Sequence, residues 1–351
     1  MASNLNMNDR NKTIIDAIIK KAKRVCPQSL AMIGVYGSVA TGDTYEKSDL
    51  DLMILINDDD GWALGTGFIL DDVAVGYDIY CTNWAMIEGD AECNHAHLTK
   101  LMDVQPVYIK DKAAVEKLDA LKEKVNDVLQ SDKRYEKAES ALAQAKQMYA
   151  EVMLSRELSE ARTFSAEMIC FLLDAVMLWN GRYFKRGIKR TFEELAPLSL
   201  PENFEKSVED VVTATDIAQE KQAATELMTV AVSYLKREKS REKPSSENIT
   251  GSYEEMYSNW RNKVEEAEHR NDRFASFMNL ASLQAMLQAI AEEVSIDKID
   301  VLQQYSPSDL KHNVEVYDEA LSRYLLEYEK AGITAKHYAN AEAFAQAYAE
   351  R

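Results

Sequence analysis

Cysteine is scarce in this chain, and the four present, Cys26, Cys81, Cys93 and Cys170, show neither paired metal-ligand spacing nor a disulfide-like framework. They are expected to be reduced core or surface residues. No stretch approaches the roughly 20 apolar residues that span a bilayer, and the opening segment MASNLNMNDRNKTIID has no apolar signal core. The expectation is a cytoplasmic protein with no membrane partner. Basic charge is also in short supply, with 41 Lys and Arg against 59 Asp and Glu and a net charge of −18. No basic stripe is available to release counterions from a polyanion, which argues against a nucleic-acid partner. The same surface would attract a cationic small molecule such as a polyamine.

Glycine and proline thin out beyond residue 112, and there the organisation changes. Before it, Ile14, Ile15, Ile18, Ile19 and Ala22 predict a helix over 8–25 that packs on a sheet. Strands are predicted over about 30–36, 49–57, 67–70, 73–82 and 105–110, with helices over 84–91 and 95–103. After 112 the chain is rich in Ala, Leu, Glu, Gln and Lys. It reads as long helices over 113–130, 133–158, 163–179, 205–235, 253–270, 274–294, 307–330 and 335–350. The polar run KREKSREKPSSENITGS at 236–252 reads as a loop. The fold class is α+β: a mixed sheet with flanking helices over 1–112, then a large all-helical domain over 113–351, divisible near 236–252.

The chemistry concentrates in GVYGSVATGDTYEKSDLDLMILI. In SDLDLMILI, Leu50, Leu52, Ile54 and Ile56 share one parity, and Asp49, Asp51, Met53 and Leu55 the other. The run suits a strand buried on both faces beyond its first residues, with both carboxylates on one face. A strand advances about 3.3 Å per residue, so their Cα atoms stand roughly 6.5 Å apart, close enough for both to bind divalent cations. Upstream, a buried strand runs into Gly37 and Ser38, and SVATG forms the first turn of a short helix closed by Gly42. Glycine admits a close backbone approach, the Ser38 hydroxyl can donate to a phosphate oxygen, and free N–H groups favour an anion. Ser48 holds the loop that presents Asp49 and counts with Gly37 and Ser38 among the nucleotide-site candidates. Downstream, Asp71 and Asp72 turn a hairpin whose second strand carries Asp78. This lone acid in an otherwise apolar strand is expected to be buried, and therefore to need a metal or a cationic partner.

Gly37-Ser38, then Ala40 and Gly42, then Ser48-Asp49-x-Asp51-Leu52 with the later strand acid Asp78, resembles the nucleotidyltransferases of the DNA polymerase β superfamily. The resemblance covers 32–82. Within that superfamily the pattern is similar to small-molecule adenylyltransferases of the aminoglycoside and lincosamide resistance type. The resemblance implies ATP as nucleotide donor and two Mg²⁺ held by Asp49, Asp51 and Asp78. It also implies transfer of AMP to a hydroxyl of an antibiotic-like small molecule with release of pyrophosphate, in a monomer or homodimer. Many relatives have Arg where this chain has Thr41, so one phosphate contact is missing. Two alternatives stay open: a protein-AMPylating enzyme of the toxin-neutralising type, and a catalytically silent nucleotide-binding regulator.

In the helical half, EMICFLLDAVMLW carries only Glu167 and Asp174 as charges, seven apart and on nearly one face. Related enzymes often draw the base for the acceptor hydroxyl from the helical domain, which makes Glu167 the first catalytic candidate and Asp174 the second. The following NGRYFKRGIKR places five cations between Arg182 and Arg190, among them Lys189, which could reach a triphosphate or simply complement a helix end. His95-x-His97 has a metal-like spacing but no further ligands, so a structural role is expected. Trp260, Phe274, Phe277 and Met278 have helical spacing and are expected in a core.

Overall fold

The computed structural model describes residues 7–237 and 241–349. By contact the chain divides into two compact units, 1–237 and 238–351. The first begins with α1 (Asp9–Val25), β1 (Leu30–Val35), α2 (Gly37–Thr41), β2 (Leu52–Ile56), β3 (Thr66–Leu70), β4 (Val75–Ile79), β5 (Cys81–Asn83), α3 (Trp84–Asp90), α4 (Thr99–Met102) and β6 (Gln105–Ile109). Asn8 caps α1 by accepting the Asn11 N–H at 2.8 Å. Four strands make a mixed sheet in the order β5-β2-β1-β6. β1 runs antiparallel to β2 and β6, and β2 runs parallel to β5. β3 and β4 pair only with each other, as the Asp71-Asp72 turn predicts.

The parity of β2 sorts the core into two. Leu50, Leu52, Ile54 and Ile56 pack with Ile15, Ile18 and Ala22 of α1, whereas Met53 and Leu55 face a second core built with the helices that follow. Each fully buried side chain of this kind contributes about 1.5–3 kcal/mol. Those helices are α5 (Lys112–Leu129), α6 (Lys133–Leu154), α7 (Leu158–Trp179), α8 (Thr191–Leu195), α9 (Phe204–Thr213) and α10 (Ile217–Tyr234). Leu118, Met168, Leu172, Val176 and Leu227 share one apolar cluster with Met32, Met53 and Leu55. Together with Ile87, Ala91, Leu98 and Leu101 of the segment before residue 112, these helices cover that face of the sheet, and the compact unit that holds it runs to 237.

The helix expected over 205–235 is two helices, because Asp216 accepts the N–H groups of Ala218 and Gln219 at 2.9 Å each and starts α10 afresh. The helix expected over 95–103 shrinks to the short α4.

The second unit contains α11 (Ser246–Ile249), α12 (Ser252–Met256), a π turn (Tyr257–Arg261), α13 (Asn262–His269), α14 (Arg273–Glu293), α15 (Leu310–Lys330) and α16 (Ala341–Ala349). Of the polar run at 236–252, residues 238–240 lie outside the described residues, as does residue 350 at the end of the last predicted helix. Tyr317, Tyr324 and Tyr328 of α15 fill this unit's core. The Tyr317 hydroxyl donates to the Met256 carbonyl at 2.7 Å, which satisfies its one polar atom. α14 reaches the length and mean hydropathy of a membrane span at 1.2 by composition. It turns Ser276, Leu280, Leu283 and Leu287 inward. That rotation leaves Phe274, Phe277 and Met278 exposed, so the core placement expected for these three is corrected.

Candidate functional site

β1 delivers the chain through Tyr36 into Gly37, and β2 returns beside it. The Tyr36 N–H donates to the Asp51 carbonyl at 3.1 Å, locking the turn to the start of β2. Gly37 has φ +63°, and a Cβ built on it would lie 2.0 Å from Asp51 Oδ2. Only glycine fits, on both counts. Ser38, buried at the head of α2, donates its backbone N–H to the Asp51 carboxylate. Thr41 bonds back to the Gly37 carbonyl at 3.0 Å, and Gly42, at φ +75°, closes the helix.

The electrostatics follow from that packing. Burial pushes the Asp51 carboxyl above its ordinary range, and the neighbouring Asp49 pushes it further. The Ser38 N–H and the cations Lys189 and Arg186 pull the other way. Burial, then Asp51 and Asp49, raise the Tyr36 phenol to about 12. The strand expected over 49–57 begins only at Leu52, so Asp49 and Asp51 sit in the irregular segment that leads into β2. A divalent cation would relieve the strain between the two acids.

The cover comes from the basic segment after α7. Glu194 accepts the backbone N–H groups of Lys185 and Arg186 at 2.7 Å each and holds that segment in place. Arg186 then reaches across, donating to the Thr41 hydroxyl, to the Asp43 carboxylate, and to the Asp43 carbonyl at 3.1 Å. A guanidinium thus stands at the position where the resemblance implied a lost arginine, supplied from 145 residues downstream. Arg190 adds two bonds to Asp43, at 3.2 and 3.3 Å, and these bonds, with the guanidinium charges, hold the Asp43 carboxyl below its usual range. The Arg186 side chain is 12 % exposed and that of Arg190 is 41 % exposed. Solvent screens the second pair far more than the first. R186Q is therefore expected to lower the melting temperature more than R190Q, in thermal unfolding followed by circular dichroism; equal shifts would show that the segment is not pinned by Arg186.

The cleft enclosed in this way has a volume of ≈ 210 Å³ and is lined by Tyr36, Gly37, Ser38, Asp49, Asp51, His97, Thr99, Phe184, Lys185, Arg186, Gly187 and Lys189. Of the residues singled out from sequence, it brings together Gly37, Ser38, Asp49, Asp51 and Lys189. The Lys189 ammonium also lies 4.6 Å from the Tyr45 ring centroid. Ser48 stands behind, its hydroxyl accepting the Tyr45 N–H at 2.9 Å, so it shapes the loop that presents Asp49.

Asp78 lies elsewhere. It shares with Asp49 an open depression along β3 and β4. It is exposed, not buried, which corrects the expectation. β4 buries Val75, Tyr77 and Ile79, and among the described residues its other face, with Gly76 and Asp78, is exposed. Glu167 is on the exposed side of α7 and does not line the cleft, whereas Asp174, about 10 Å further along the helix, is buried.

Tyr36 and Thr99 are cleft residues to which sequence reasoning gave no role; Phe184 and Arg186 lie in the basic segment from which a cation was expected to reach a triphosphate, and His97, expected to be structural, lines the cleft. His95 turns to Asp90, at 3.5 Å, and the hydrogen bond to that carboxylate raises its pKa, while His97 turns into the cleft. Among the described residues no group of three or more His, Cys, Asp or Glu side chains is gathered closely enough to hold a metal ion. Two adjacent carboxylates still suit Mg²⁺, which commonly takes one or two carboxylates plus the oxygens of a phosphorylated substrate.

A strand, a Gly-Ser turn into a short helix, and two acids just ahead of the returning strand, with a cationic segment opposite, form an arrangement suited to a phosphorylated ligand. Residues 16–73 match the family model described as a nucleotidyltransferase domain. The match contains Gly37, Ser38, Asp49 and Asp51, and it supports membership of the nucleotidyltransferase superfamily and a transferase activity. No curated protein matches the chain.

Proposed function

We propose that this protein is a Mg²⁺-dependent adenylyltransferase that moves AMP from ATP to a hydroxyl of a cationic small molecule, of the aminoglycoside kind, and releases pyrophosphate. The observation that carries the reading is Asp51: a carboxylate kept partly buried against Asp49 and against a glycine that leaves it no room to turn. Such an arrangement disfavours the ionised pair by itself and favours it with a divalent cation bound. Asp49 and Asp51 would hold that ion; Asp78, which shares only an open depression with Asp49, is the further acid that the resemblance would add. When bound, Mg²⁺ supplies charge neutralisation on the phosphates and Lewis acidity.

The chain's own groups do the rest. Gly37 and Ser38 cradle the phosphates, and Lys189 and Arg186 offset the negative charge that develops on the leaving pyrophosphate. The acceptor oxygen forms a bond to the α-phosphorus, the bond from that phosphorus to the β-phosphate oxygen breaks, and the hydroxyl proton leaves to a base. Positioning accounts for much of such a rate enhancement. The net charge of −18 supports a cationic acceptor over a polyanionic one.

The test is incubation with ATP labelled at the α-phosphate and Mg²⁺, against an aminoglycoside and lincosamide panel and against cell lysate. Label on a small molecule is expected. Label on a protein alone would move the reading to protein AMPylation, and label nowhere would overturn enzymatic transfer.

A further inference from the structure

We propose that His97 takes the proton of the attacking hydroxyl and that Asp174 is the residue that positions it. The inference rests on the nucleotidyl-transfer reading and goes beyond it by assigning the base. His97 lines the same cleft as Asp49 and Asp51. Its ring is gripped: Phe184, itself buried, stacks on it at 5.1 Å between centroids and 21° between planes. The peptide before it is held from both sides, because the Ala96 N–H donates to Asp174 Oδ1 at 2.8 Å and the Ala96 carbonyl accepts the Phe184 N–H at 2.8 Å. One face of the imidazole is thus packed and the backbone leading to it anchored, which limits where the ring can stand as a proton acceptor.

The two ring nitrogens face different surroundings. Nε2 lies 3.8 Å from Asp174 Oδ1. Asp174 is 6 % exposed on α7, among Leu172, Leu173, Ala175 and Val176. Burial raises its pKa, and the Ala96 N–H and the two histidines work against that. The carboxylate stands on the Nε2 side of the ring, beyond hydrogen-bond distance, and its charge favours the tautomer that carries the proton on Nε2. Nδ1 makes no hydrogen bond among the described residues, and the side chain is 47 % exposed. Gly187, at φ +59°, leaves that edge open, since even a Cβ there would sit 3.8 Å from Nδ1.

Atoms balance in the step. The acceptor O–H bond breaks as its oxygen bonds to the α-phosphorus, the proton goes to His97 Nδ1, pyrophosphate leaves with the electron pair of the broken P–O bond, and the imidazolium returns its proton to solvent. Asp174 does not line the cleft and acts only through the ring.

The experiment measures pyrophosphate release from Mg²⁺-ATP, with water or a panel alcohol as acceptor, alongside calorimetric binding of a nonhydrolysable ATP analogue. H97A is expected to lower kcat about 100-fold or more, with analogue Kd within about twofold of wild type. Added imidazole should restore part of the rate. H97N, which keeps a polar group at the site, guards against a folding artefact and should fail in the same way. D174N, which keeps an oxygen for the Ala96 N–H and loses the charge, should lower kcat by about tenfold with Kd unchanged, and imidazole should not rescue it. Release by H97A within about threefold of wild type would overturn the assignment. So would a parallel loss of analogue binding, which would make His97 a phosphate ligand, or a comparable loss in E167Q with H97A active, which would give the role to Glu167. A wild type that releases no pyrophosphate fails the nucleotidyl-transfer reading itself, and the two failures are thereby told apart.

Discussion

Replacing Asp51 by Asn is expected to abolish pyrophosphate release while the fold becomes more stable in the absence of metal. The catalytic loss should be at least about 1000-fold, the equivalent of about 4 kcal/mol, because the variant forfeits one of the two acids facing the cleft. The stability gain follows from the sign of the pKa shift. Asp51 is raised in the folded state, chiefly by burial and then by Asp49. Its ionisation therefore costs stability above the folded pKa, and the cost disappears as pH falls through that value towards the unfolded one. At neutral pH without Mg²⁺ the D51N melting temperature should exceed that of wild type, and the gap should close on acidification. Adding Mg²⁺ with the ATP analogue should raise the melting temperature of wild type and leave that of D51N nearly unmoved. A D51N protein that keeps full activity would remove Asp51 from the reaction. An unchanged melting temperature across the pH series would show that Asp51 carries no such cost.

Gly37→Ala should produce the second largest effect, through two separable causes. A left-handed φ costs a non-glycine residue about 1–2 kcal/mol. At Gly37 the new Cβ would also fall 2.0 Å from Asp51 Oδ2, so the carboxylate must move. Gly42 isolates the first cause, since it has φ +75° but no neighbouring atom within 4 Å of a built Cβ. G42A should therefore lose about 1–2 kcal/mol of stability, a fall of about 2–8 °C in melting temperature, and keep its rate. G37A should lose at least as much stability and, with Asp51 displaced by of order 1 Å, about 100-fold in rate. Equal rates for G37A and G42A would show that the close approach of Gly37 to Asp51 has no part in the chemistry.

The N-terminal half was legible because its signals are local. Alternation in SDLDLMILI assigns Leu52, Ile54 and Ile56 to one face and Asp51, Met53 and Leu55 to the other, and the two cores divide along that line. The Gly-Ser turn needs no partner to be read, since its demand for a positive φ and a close approach is written in the residue type. Asp78 was misread for an instructive reason. Alternation shows that Gly76, Asp78 and Tyr80 share a face but not whether a layer covers it, and among the described residues that face of β4 is exposed. Phe274, Phe277 and Met278 were misread in the same way, since apolar periodicity names a stripe and packing decides which stripe turns inward.

The sequence alone determined the α+β class, the strand that follows Asp49 and Asp51, and the glycine that admits Asp51, because each depends on interactions a few residues long. Only the tertiary structure decided what stands opposite them. His97, Phe184, Arg186 and Lys189 line the cleft from distant segments, Arg186 meeting Thr41 across 145 residues and Asp174 meeting Ala96, next to His97, across 78. No periodicity or spacing encodes that convergence. It arises because the open face of the sheet, Met32, Met53 and Leu55, must be covered by the helices, and covering it carries the basic segment and His97 over the two acids.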